Sequence, residues 1–154
     1  MSPRVTPLCC GSIAMDARVD LVGEPGRVEV PSTVFLIDAA ETILVDTSFG
    51  DPERVTEAHP GFECYRAPDQ RLRHVLDAEG YTPADVDTVV FSHLDWDHCH
   101  NLDLFGDDTT FRVGARELAY ATDPYPPHTV RYEADPGSRT PAWRDRDLRP
   151  IEGE

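Results

Sequence analysis

The chain has 154 residues, 40% hydrophobic and 28% charged, the balance of a soluble globular protein with length for one domain and one core. Its formal net charge of −15 sets Coulomb repulsion against nucleic acid and against anionic membrane surfaces. No apolar run approaches the roughly 20 residues that span a bilayer, and Met1-Ser2-Pro3-Arg4 opens no apolar leader, so cytoplasmic residence is the expectation.

Residues 11–22 and 27–38 read as two strands joined by Gly23-Glu24-Pro25-Gly26, where Pro and Gly supply the dihedrals of a turn. A third strand is predicted over 42–46. Residues 51–67, with Pro52, Pro60 and Gly61, read as mostly loop. A helix follows over 69–78, with Leu72, Val75 and Leu76 on one face and Gly80 as its stop. Thr82-Pro83-Ala84-Asp85 is a capped turn, with Thr ahead of a proline at the first helical position. Asp87-Thr88-Val89-Val90-Phe91-Ser92 has the β-branched and aromatic content of a buried strand. Thr110-Phe111-Arg112-Val113 reads as another strand and residues 115–121 as a helix. Residues 123–142 hold Pro124, Pro126, Pro127, Pro136 and Pro141 and form a long irregular segment. With Tyr125, Tyr132 and Trp143 nearby, that segment is either a lid over substrate or a loop pinned to its own domain by its aromatics. Strands alternating with helices define an α/β layered domain. The four cysteines, Cys9, Cys10, Cys64 and Cys99, have no disulfide-framework spacing and read as thiols.

The strand at 87–92 runs straight into His93-Leu94-Asp95-Trp96-Asp97-His98, four potential metal ligands within six residues. A loop on the end of a rigid strand can aim such groups into one cleft. Carboxylates packed so closely repel unless a cation joins them. Imidazole together with carboxylate suits zinc or a similar first-row metal better than calcium, which takes oxygen alone. Cys99 and His100 adjoin the motif. The thiol reads as packing, and His100 either serves the turn or is an extra donor.

His93-Leu94-Asp95-Trp96-Asp97-His98 resembles the His-x-His-x-Asp-His signature of the metallo-β-lactamase superfamily, with Asp95 in the position of the middle histidine. Residues 42–51, Thr-Ile-Leu-Val-Asp-Thr-Ser-Phe-Gly-Asp, resemble the superfamily's strand ending in an Asp-Thr-Gly turn, with Ser48 in place of the glycine. Glu29-Val30-Pro31 and Thr33-Val34-Phe35-Leu36-Ile37-Asp38 are similar to the strand before that turn. Gly80-Tyr81-Thr82-Pro83 ahead of the motif strand, and Arg149-Pro150-Ile151-Glu152-Gly153-Glu154 after it, look most like the N-acyl homoserine lactonase branch. The likeness covers roughly residues 17–154, judged on element order.

The resemblance implies an αββα sandwich of which this chain is the N-terminal portion, a mixed sheet with flanking helices in one domain over 1–154. It also implies a two-ion centre, zinc with manganese or iron as alternatives. His93 and Asp95 would serve one ion, and Asp97 and His98 the other. Asp97 would pass a proton to the leaving alkoxide, and Asp46 would orient a metal-binding histidine. The family's later ligands, two histidines and a bridging aspartate, fall beyond Glu154. Of the other imidazoles, His59, His74 and His128, His74 reads as a surface residue of its helix and His128, in the Pro-rich segment, as the lesser candidate for a further ligand. Uncovered apolar edges and self-association as a homo-oligomer are therefore expected. The implied function is hydrolysis of a small ester or lactone, of the acyl homoserine lactone kind, by metal-ionised water. The alternatives are a thioester or phosphodiester hydrolase, or a non-catalytic remnant.

Overall fold

The computed structural model describes residues 2–19, 21, 23, 25–133 and 140–153. Its strands and helices, in order, are β1 (Arg4–Asp16), β2 (Arg27–Asp38), β3 (Thr42–Val45), α1 (Pro52–Ala58), β4 (Phe62–Tyr65), α2 (Leu72–Ala78), β5 (Thr88–Phe91), β6 (Thr110–Gly114), α3 (Ala115–Thr122) and β7 (Leu148–Ile151). Short 3-10 turns fill several connections, among them Ala17–Val19, Pro83–Asp85 and Pro126–Tyr132. The strands form one sheet in the order β4-β1-β2-β3-β5-β6-β7. β4, β1, β2 and β3 pair antiparallel, and β3, β5, β6 and β7 pair parallel. This is the expected mixed sheet with flanking helices.

Residues 51–67 are not mostly loop. Asp51 caps α1, its carboxylate accepting the Arg54 N–H at 3.2 Å, and Pro52 occupies the first helical position, where its missing N–H costs nothing. Phe62–Tyr65 then pairs with β1 as an edge strand. The first strand also starts earlier than expected, at Arg4, and ends at Asp16. Of the turn expected at 23–26, Gly23 and Gly26 have positive φ, while Glu24, like Asp20 and Val22 before it, lies outside the described residues. At the capped turn, the Thr82 N–H and hydroxyl both donate to the Asp85 carboxylate.

β1 and β2 make the longest pairing, and it slips between Cys9 and Ser12. The bulge needs Gly11, whose φ is +118° and where a Cβ would sit 2.4 Å from the Tyr65 carbonyl oxygen.

Alternation along the strands sends successive side chains to opposite faces. One face carries Leu8, Val34, Leu36, Leu44, Val89 and Phe111, all buried in one core with Leu72 and Leu76 of α2. The opposite face carries the row Pro7, Phe35, Val45, Val90, Arg112 and Arg149, aligned across six strands. Phe35 is 40% exposed there and Val5 57%. A smaller cluster of Ile13, Met15, Phe49, Val55, Cys64 and Trp96 closes the end of the sheet near the motif.

In the Pro-rich segment, Pro126–Tyr132 is helical in the 3-10 sense, and Tyr132 and Trp143 are buried in the main core while Tyr125 is exposed. The part around Pro136, like Glu154 at the terminus, lies outside the described residues. No helix among the described residues is long and apolar enough to cross a membrane.

Candidate metal centre

β3 and β5 are parallel neighbours, so the chain leaves both at the same end of the sheet. Ligand-binding groups gather at such carboxyl ends, where loops diverge from a rigid base. Asp46 follows β3 and has φ +64°, a left-handed backbone that costs free energy in a non-glycine residue. Ser48, in the position of the signature's glycine, takes the same conformation, also at +64°. Neighbouring bonds hold this turn. The Asp46 N–H donates to Val90 O at 2.9 Å, Thr47 N–H to His98 O at 2.8 Å and His100 N–H to Ser48 O at 3.1 Å. The Asn101 amide donates to Thr47 O and Phe49 O. Arg66, immediately after β4, donates to the carbonyls of Cys10, Phe49 and Gly50 and to the Ser48 hydroxyl, and lies over the Phe49 ring.

The Asp46 carboxylate links the two strand ends. It accepts the Ser92 N–H at 2.8 Å, the Ser92 hydroxyl at 2.7 Å and the His98 Nδ1–H at 2.8 Å. Ser92 Oγ is also 2.9 Å from His93 Nδ1. Because that hydroxyl gives its proton to Asp46, His93 Nδ1 is the donor in this contact. Each motif imidazole thus has its Nδ1 engaged and its Nε2 left for another partner. The two rings lie 4.0 Å apart. His98 Nε2 is 3.4 Å from Asp97 Oδ2, and His93 Nε2 is 3.8 Å from Asp95 Oδ2.

Burial works against a charged His98, but hydrogen bonds to Asp46 and Asp97 outweigh it and push its pKa up to about 10. Burial would likewise raise Asp97, and the contact with His98 overrides it and holds the carboxyl below its usual value. Ligation would need His98 neutral, so cation binding at this site would release a proton.

Asp95 is engaged differently. Both Nε and Nη2 of Arg131 donate to its Oδ2, the first at 2.9 Å. Its Oδ1 is buried without a hydrogen-bond partner among the described residues. A cavity of about 420 Å³ opens beside these groups, with Ile13, Met15, Phe62, Trp96 and Val130 among its apolar walls and Asp95, Asp97 and Arg131 at its polar end.

A profile of the metallo-beta-lactamase superfamily matches residues 27–153. The chain belongs to that superfamily. Among solved structures, an N-acyl homoserine lactone hydrolase with the product N-hexanoyl-L-homoserine at its catalytic metal centre is similar, at 20% identity and a TM-score of 0.73 over 97% of this chain and 59% of that one. A quorum-quenching N-acyl homoserine lactone hydrolase is similar at 20% identity and a TM-score of 0.70, over 97% and 57%. A probable metal-dependent hydrolase from Staphylococcus aureus is 16% identical, with a TM-score of 0.73 over 99% and 60%. These likenesses are of fold. The chain spans less than two thirds of the length of each.

The superfamily motif therefore comes together in part. His93, Asp97 and His98 lie side by side, with Asp46 against His98. Asp95 borders them through an oxygen already taken by Arg131. Among the described residues no group of three or more His, Cys, Asp and Glu side chains is closed around a point as a metal site. The donor chemistry fits a cation at His93, Asp97 and His98, since fixed Nδ1 contacts orient imidazoles as metal-ligating histidines require.

Cys99 packs as expected, buried with its thiol on the Leu94 and Asp95 carbonyls. His74 is exposed, and His128 bonds the Tyr120 hydroxyl. His100 faces Glu133, with Nε2 3.1 Å from its carboxylate, and fits only because residue 50 is glycine. A Cβ there would come within 2.8 Å of the ring. His59 approaches the other Glu133 oxygen at 3.3 Å and stacks on Trp96. Burial would raise Glu133, but the two imidazoles hold its pKa down at about 2 instead. Sequence reasoning missed Ser92, Arg131, Glu133 and the placement of His59. Only Ser92, adjoining the motif, carried a local signal.

Proposed function

We propose that this chain binds a zinc-class cation through His93, Asp97 and His98 and takes part in hydrolysing a small ester or lactone. The observation that carries this reading is the Asp46–Ser92 link, which occupies Nδ1 of both imidazoles and leaves both Nε2 atoms toward the carboxylates. When bound, such a cation supplies Lewis acidity and eases the ionisation of water near neutral pH. Asp46 fixes the ring and tautomer of His98, while Asp97 lines the cavity and can carry a proton to a leaving alkoxide. The apolar walls suit an acyl or alkyl group, whose burial stabilises the complex by about 0.8 kcal/mol per methylene. A lactone of the acyl homoserine class agrees with the lactonases of similar fold.

The test is turnover by the zinc-loaded chain on N-hexanoyl homoserine lactone, a thioester and a phosphodiester, beside Asp97→Asn and His98→Ala. Lactone opening by the unaltered chain should exceed that on the other two, and both variants should lose it. Zinc uptake with no turnover of any ester or lactone would sink the substrate reading.

A further inference from the structure

We infer that Arg131 stands in for a cation at Asp95, so that Asp95 is no metal ligand and the motif takes one divalent ion. The inference rests on the cation site proposed above and concerns how many ions that site holds.

The decisive point is which oxygen Arg131 uses. Asp95 Oδ2 is the atom that faces His93 Nε2, at 3.8 Å, and it is the same atom that receives two guanidinium N–H groups. A cation shared by His93 and Asp95 would need that oxygen at about 2.0–2.2 Å. It would then share one carboxylate oxygen with a permanent positive charge, on an aspartate that is itself buried. The other oxygen, Oδ1, is buried and faces no donor among the described residues. Asp95 is therefore committed on the side where ligation would occur.

The backbone fixes the arrangement as well. The Trp96 N–H donates to Arg131 O at 2.9 Å, so the motif loop and the 126–132 turn are joined by main chain beside the point where the side chains meet. Charge balance gives the reason for it. Asp46, Asp95 and Asp97 bring three carboxylates close to two imidazoles, and His98 is already paired with Asp46 and Asp97. A third carboxylate, 7% exposed, requires its own counter-charge, because an unpaired buried ion is costly. Arg131 supplies it whether or not a metal is present.

Zinc titration calorimetry on the intact chain, with circular dichroism to verify folding, tests this. One equivalent of zinc should bind. Asp95→Asn should leave stoichiometry and affinity unchanged, while His98→Ala weakens binding roughly tenfold or more. Arg131→Gln, altering a side chain that is half exposed and so tolerant of change, should release Asp95 and tighten zinc uptake or admit a second equivalent. If Asp95→Asn weakens zinc as His98→Ala does, or Arg131→Gln leaves the isotherm unaltered, the inference is overturned and the cation site stands. If the intact chain takes up no zinc, the cation reading falls and the inference with it.

Discussion

The two faces of the sheet share every strand and yet differ in what covers them. Leu36 and Leu44 are buried to 1% or less in the core they share with Leu72 and Leu76 of α2, while Phe35, next to Leu36 in sequence, is 40% exposed on the other side. In its first half β2 alternates in the manner of a one-sided strand, with exposed Arg27, Glu29 and Pro31 between Val28 and Val30. In its second half both sides are apolar, with Val34 and Leu36 inward and Phe35 and Ile37 outward. The difference teaches that fixed packing in the described residues is concentrated on the helical side, and that the strand ends carrying Asp46 and Ser92 are rooted in that side.

Thiol chemistry should show the contrast at its largest. Cys9 and Cys10 are neighbours, yet Cys9 is exposed and Cys10 is buried, with burial pushing its pKa up to about 12. A disulfide reagent should modify Cys9 at once. Cys10, Cys64 and Cys99 should wait for opening of the fold, on the order of 1,000-fold slower or more for a domain of ordinary stability. Mass spectrometry of the labelled peptides gives the order, and prompt labelling of Cys10 would break the comparison.

Core truncation comes next. Leu36→Ala should cost about 2–5 kcal/mol by urea denaturation, through lost burial and a residual cavity. Phe35→Ala should cost about 1 kcal/mol or less, because its side chain already meets water. Equal losses would mean that the outer side is covered in solution.

The smallest effect lies at the polar end of the open face. Arg27 forms a two-pronged contact with Glu63 and also donates to the Tyr65 hydroxyl. Its hydrogen bonds, helped by Tyr65, hold Glu63 down from the ordinary 4.5 to about 2. A carboxylate with a lowered folded pKa stabilises the fold above its unfolded pKa, and that contribution disappears as pH falls toward 2. The melting temperature of Glu63→Gln should therefore lie slightly below that of the unaltered chain at pH 7. The gap should close between pH 5 and 2 and shrink with added salt, since the pair is exposed.

Much of this architecture was legible where period and composition agreed. Residues 27–38 form the strand expected there, β2, and Thr88–Phe91 forms the buried strand its β-branched residues require. The stretch 51–67 departs from the expected loop because its prolines are not all breakers. Pro52 after Asp51 is instead a helix start, and Phe62, Glu63, Cys64 and Tyr65 alternate as a strand does. The site was legible as a string of donors but not as a set of partners. Asp46 and His98 are 52 residues apart, and Asp95 and Arg131 are 36 apart. No local pattern encodes such meetings, which depend on parallel strands ending together and on a turn that crosses the motif.

Arg66 gives the edge strand a reach beyond its own position. Its one guanidinium gathers three carbonyls and a hydroxyl, and the Ser48 and Phe49 atoms it grips belong to the same turn that starts at Asp46. Lysine has a single nitrogen and cannot reproduce that fan of bonds. Loosening that one knot at the border of the sheet would be felt at the Asp46 turn, and through Asp46 at the His98 ring that it holds.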